Sequence, residues 1–177
     1  RSRFADCRSS GCVQESFPVV SQNTGSSAVT GNDPALVYAR RSDYDVTNTV
    51  RVSSVDAVRE AVEDLFAIAC PGAAFDSLWM AFHDFRRLFR GQFDGYVGCD
   101  TLYHDQQHSL DVTLAMARLL AGYQQSCAVA DRLGVERTVT GLVCALFHDS
   151  GYIRRTAERN RNGAEFSPCH IARGEEF

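Results

Sequence analysis

Between Val55 and Phe147 the apolar residues return every three or four positions in four separate runs, a spacing that confines the chain to helices packed on one another. In "SSVDAVREAVEDLFAIAC", Val55, Val58, Val62, Leu65 and Phe66 share one face. Ser53 or Ser54 can cap this helix, Asp56 suits its first turn, and Pro71-Gly72 ends it. A second helix is expected near 76–90, with Leu78, Trp79, Phe82, Phe85, Leu88 and Phe89 as a thick core-facing stripe. In the third run His108, Val112, Ala115, Met116, Leu119 and Tyr123 are spaced by three and four. A fourth, after "DRLGVE", shows Val139, Leu142, Val143, Leu146 and Phe147 and finishes at His148-Asp149, with Gly151 at the helix end or the turn after it. No strand signal, internal repeat or heptad series competes. The expected class is all-α.

Residues 1–50 differ. They are rich in Ser, Thr, Gly and Asn, "SQNTGSSAVTGNDP" reads as loop, and "PALVYARRSDYDV" reads as an extended arm without chemistry of its own. The expected organisation is an irregular arm over 1–50 and a helical domain over 51–177. Near the other end "RNRNGAEF" reads as loop and "SPCHIARGEEF" as a helix start, with Ser167 as N-cap and Pro168 in the first turn. That helix shows no stop signal before Phe177, so at least one further helix is expected to belong to the domain.

A chain of 177 residues suffices for one domain with a real core. Its net charge of −4 gives no basic footprint for nucleic acid or an anionic membrane, and no run of about 18 apolar residues can span a bilayer. All 18 basic residues are arginine, which removes Schiff-base, lysine-base and Walker-loop chemistry. The seven cysteines (Cys7, Cys12, Cys70, Cys99, Cys127, Cys144 and Cys169) form no CxxC pair and leave one over from any full pairing, so free thiols in a reducing cytoplasm are expected. Cys144 falls on an apolar helical face, where thiols are usually buried.

The chemistry-bearing residues lie in "YHDQQHSLDV" and "CALFHDSGY". If the third helix already includes Tyr103, His104 and His108 project together from one face. Asp111 can share that face or orient the His108 imidazole, and Asp105 is a second candidate for such support. His148 and Asp149 sit about 100° apart in mid-helix, but at a helix end both can reach one ion. Imidazole nitrogen suits a borderline metal, a carboxylate adds charge, and a histidine outside the coordination shell can protonate a leaving oxygen. Taken alone, His108 would read as a hydrogen-bonded core residue and HD as a chance dipeptide; the two segments together carry the argument. His83 reads as a packing or surface residue. Arg154 and Arg155 read as a solvated turn or, less simply, as phosphate-steering groups. Cys169 lacks the spacing of a nucleophile.

These two motifs resemble those of the HD superfamily of metal-dependent phosphohydrolases, and most closely the catalytic domain of class I cyclic-nucleotide phosphodiesterases, with their YHNxxH and ALFHD signatures. The resemblance covers about residues 55–177. It implies an all-helical bundle and one or two divalent ions (Mg, Mn, Zn or Fe), with a small phosphate ester or cyclic nucleotide as substrate. By position, His104 matches the histidine that protonates the leaving oxygen. His108, His148 and Asp149 match metal ligands, and His170 matches a downstream histidine that holds a second metal in binuclear members, although a structural place near a helix N-terminus suits it equally. The sequence departs from the family in two places: Asp105 stands for Asn, and Tyr152 stands for a histidine or, in other members, a lysine. The last metal-binding aspartate and the nucleotide-clamping residues are expected beyond Phe177. Two other readings stand beside the hydrolase: a di-iron oxygenase using His170, and a degenerate regulatory or dimerisation module. Nothing in the sequence sets the oligomeric state.

Overall fold

A computed structural model of the chain describes residues 42–177. The expected loop at 21–34 and most of the expected arm lie outside the described residues. Within them the architecture is all helical: α1 (Val55–Ala69), α2 (Asp76–Phe89), α3 (Gln106–Ser126), α4 (Gly134–Phe147) and the short α5 (His170–Gly174). No strand occurs among the described residues, only isolated bridges at Tyr44–Arg51 and Tyr96–Arg155. None of these helices is long and apolar enough to cross a membrane.

Helices α1 to α4 close a ring of contacts around one core: α1 packs on α2 and α3, and α4 packs on α3 and α2. Val58, Val62 and Phe66 of α1, Leu78, Phe82, Phe85 and Leu88 of α2, Leu110 and Leu114 of α3, and Leu142 and Leu146 of α4 meet there, all buried. The start of α1 is fixed as expected, with the Ser54 hydroxyl accepting from Ala57 N at 3.3 Å. It ends at Cys70, and Gly72 takes a positive φ of 78° to turn the chain toward α2.

Three faces differ from the periodic reading. Trp79 is not in the core but 46% exposed, its ring stacked on His83 and lying beneath the Arg59 guanidinium. On α3 the buried side carries Ser109, Leu110, Thr113, Leu114, Ala117, Ala121 and Gln124, while Leu119 is 70% exposed and Tyr123 is also outside. Small residues on the inner side let α3 approach its neighbours, and Thr113 and Gln124 there are hydrogen-bonded. Thr113 Oγ1 donates to Ser109 O, and the Gln124 amide bridges Ala69 O and Leu133 N. Cys144, expected to be buried, is exposed on α4.

The segment after α4 is built from tight turns: Ser150–Tyr152, Thr156–Glu158 and Gly163–Phe166. "NGAEF" is not plain loop, because Asn162 and Glu165 form a reciprocal cap on the Gly163–Phe166 turn. Nor does Ser167 cap α5. Its hydroxyl donates to Ala164 O and closes the preceding turn, so α5 starts only after Cys169.

Candidate metal centre

The two motif segments meet. Asp149, whose side chain is 4% exposed, presents Oδ2 to three imidazoles: His104 Nδ1 at 2.8 Å, His148 Nε2 at 3.1 Å and His108 Nε2 at 3.4 Å. One donor atom each from His104, His108 and Asp149 fall within 4.8 Å of one another, close enough to share an ion. The His148 ring lies edge-on to His108, with centroids 5.3 Å apart.

Local sequence explains how each group arrives. Asp105 is the N-cap of α3, with Oδ1 accepting from His108 N at 2.9 Å, so it fixes the helix start at the ligand itself. The helix therefore begins after His104, not before it. His104 meets His108 because its own loop carries it there: its carbonyl accepts from Thr101 Oγ1 at 2.6 Å and Cys99 Sγ at 3.5 Å. The Tyr103 ring lies against both imidazoles, 4.8 Å from His108 and 5.1 Å from His104.

On the other side, His148 is the C-cap residue of α4 and Asp149 follows it, so the helix end brings both groups to one point as the dipeptide suggested. His148 Nδ1 bonds Ala145 O at 2.9 Å, which places the proton on Nδ1 and turns Nε2 toward the site. The Asp149 bond raises the pKa of His148, against burial, which lowers it. Burial also pushes the Asp149 carboxyl up, but the hydrogen bonds and charges of His148 and His104 outweigh it and hold the group down at about 2.

Other candidates fall outside the group of three. Asp111 is exposed on α3 one turn beyond His108. His170 Nδ1 bonds Ser167 O at 2.8 Å, and its ring stacks on Tyr152, which stacks in turn on His104. His83 is on α2 beside Asp84, as a surface residue. Arg154 donates to the carbonyls of Arg159 and Arg161 and pairs with Asp100, while Arg155 pairs with Glu176. Both hold the chain together instead of facing a phosphate. No sequence pattern marks Thr101 or Cys99 as supports of the site; the one signal for Tyr152 is its place three residues past Asp149.

The donor set fits a divalent ion. Imidazole nitrogen with a buried carboxylate is the ligand chemistry of Zn, Mn and Fe sites, and three protein donors leave positions for water and substrate. Compared with protein-family models, curated proteins and solved structures, the chain matches none of them.

Proposed function

We propose that this chain is an HD-type helical bundle acting as a metal-dependent phosphohydrolase on a small phosphodiester, such as a cyclic nucleotide. The observation that supports this most is the convergence of three imidazoles from two separate segments on one buried carboxylate. His108, His148 and Asp149 hold the ion, Mg, Mn, Zn or Fe. Such an ion supplies a more acidic water and offsets negative charge on phosphorus. Asp149 accepts from His104 Nδ1 and thereby directs Nε2 away from itself. With its side chain 34% exposed, His104 can meet a substrate. The water oxygen bonds to phosphorus, the ester P–O bond breaks, His104 protonates the departing alkoxide, and a proton from the water restores the imidazole. The free thiols among the described residues suit a reducing compartment, and we place the protein in the cytoplasm.

The test is hydrolysis of bis(p-nitrophenyl) phosphate and of cyclic nucleotides with Mn²⁺ or Mg²⁺, against a chelated control. His104→Ala is expected to lower the rate by about a hundredfold or more while metal content stays constant. His108→Ala is expected to lose both. A second reading has a specific observation behind it: His104 is itself one of the three groups close enough to share an ion. On that reading His104→Ala loses metal with the rate. Absence of metal-dependent turnover on every phosphoester would sink the hydrolase.

A further inference from the structure

We propose that Tyr152 is the positioning residue that sets the imidazole plane of His104, with His170 backing it. This rests on the hydrolase reading above. His104 precedes α3, so no helical backbone fixes its ring. Thr101 holds its carbonyl, Asp149 holds its Nδ1, and the Tyr103 and His108 rings meet it at near right angles, but none of these lies flat against the ring to set its plane. The plane is set by a wall. The Tyr152 ring lies 4.3 Å from the His104 ring at an interplanar angle of 14°. Offset stacking of this kind holds two rings near parallel.

The wall is itself rigid. Tyr152 is buried, and its backbone N donates to Asp149 O at 3.1 Å. The carboxylate and the wall thus belong to one turn and keep a fixed separation. Against Tyr152 the His170 ring stacks as well, 4.6 Å away and 19° from parallel, and its Nδ1 is tied to Ser167 O. Gly151 makes this approach possible, because a Cβ there would lie 1.7 Å from His170 O. The run His148-Asp149-Ser150-Gly151-Tyr152 therefore supplies a donor pair, the close approach and the wall in five residues. His170, which the family resemblance offers as a second metal ligand, acts as the support of that wall.

Tyr152→Phe keeps the flat ring and Tyr152→Leu removes it; both are compared in the full chain. In chelated protein the ring protons of His104 are expected upfield in wild type and in Tyr152→Phe, and shifted toward ordinary imidazole positions in Tyr152→Leu. With Mn²⁺, Tyr152→Leu is expected to lower kcat about ten- to a hundredfold, leaving KM and Mn²⁺ affinity unchanged, and Tyr152→Phe to restore it. His104 resonances that do not move in Tyr152→Leu, or a kcat loss that Tyr152→Phe fails to restore, overturn the proposal. If wild type hydrolyses nothing, the hydrolase reading fails while the ring-proton measurement still decides the role of Tyr152. Should Tyr152→Leu not fold, His170→Ala takes its place: a smaller movement of the same His104 resonances supports the proposal, and no movement overturns it.

Discussion

Two regions of this molecule are held together by different forces. From Val55 to Phe147 four helices share hydrocarbon, with Phe82, Phe85, Leu88 and Leu146 essentially without solvent contact. From Ser150 to Phe177 the chain is short on core and long on arginine. Arg173 donates to Gly151 O and Ile153 O, grips both Glu158 oxygens and lies over the Phe166 ring. Arg154 ties the carbonyls of Arg159 and Arg161. His148 and Asp149 sit on the seam, ending one region and opening the other. An apolar helix packing brings the two motifs near one another, and a polar scaffold then sets the details.

The contrast can be broken by measurement. Phe85→Ala in the helical region is expected to cost about 3–5 kcal/mol by urea unfolding, because nothing can collapse into so buried a gap. Arg173→Met is expected to cost less, about 2–3 kcal/mol, leaving two carbonyls and Glu158 short of a partner. Its effect should shrink in acid, since the Arg173 bond holds the Glu158 pKa below its ordinary value and that contribution is lost as Glu158 protonates. If the two variants cost the same, the division into apolar and polar regions fails.

At the seam the expected signature is pH. Asp149 titrates at about 2 in the fold against an ordinary 3.8. In metal-free protein its contribution, about 2 kcal/mol, is complete above the ordinary value and lost as pH falls toward the folded one. His148 has the opposite sign: its pKa is raised, so its contribution is present below the ordinary imidazole value and lost as pH rises through the raised one. Asp149→Asn should flatten both limbs of the chelated protein's stability profile. Metal affinity should instead climb with pH, because ligating imidazole must be neutral. Smaller effects sharpen the picture: Ser54→Ala is expected to cost about 1 kcal/mol through its lost cap. Cys144→Ser, exposed on α4, should stay within about 0.5 kcal/mol.

The helical region was legible because apolar residues repeat with the period of the helix, and Ser54, Pro71 and Gly72 punctuate it. The inward face of α3 was not. It is lined with Ala, Ser and Thr, so the larger Leu119 and Tyr123 outweighed it in a reading that follows size. Of the centre, His108 and Asp149 were readable as types that gather at a metal, and they meet; His148 reaches the same carboxylate but falls outside the group close enough to share an ion, where His104 stands instead. The place of His104 was reached by the wrong route. Helical spacing suggested a shared face, whereas Asp105 caps a helix that starts only at Gln106, after His104, and a loop bonded to Thr101 brings the imidazole in. Tyr152 reaches His104 from a separate segment, and Thr101 acts through a bond inside an irregular turn; a helical period records neither.

One bond carries a further consequence. Because His148 Nδ1 is tied to Ala145 O, the last turn of α4 and the inward-facing nitrogen are a single mechanical unit. A helix terminus ordinarily frays, and its amide protons trade with solvent faster than those of the interior. If His148 ligates as proposed, loading the centre is expected to quiet that fraying, and deuterium uptake across residues 145–149 would report occupancy in a sample to which no substrate had been added.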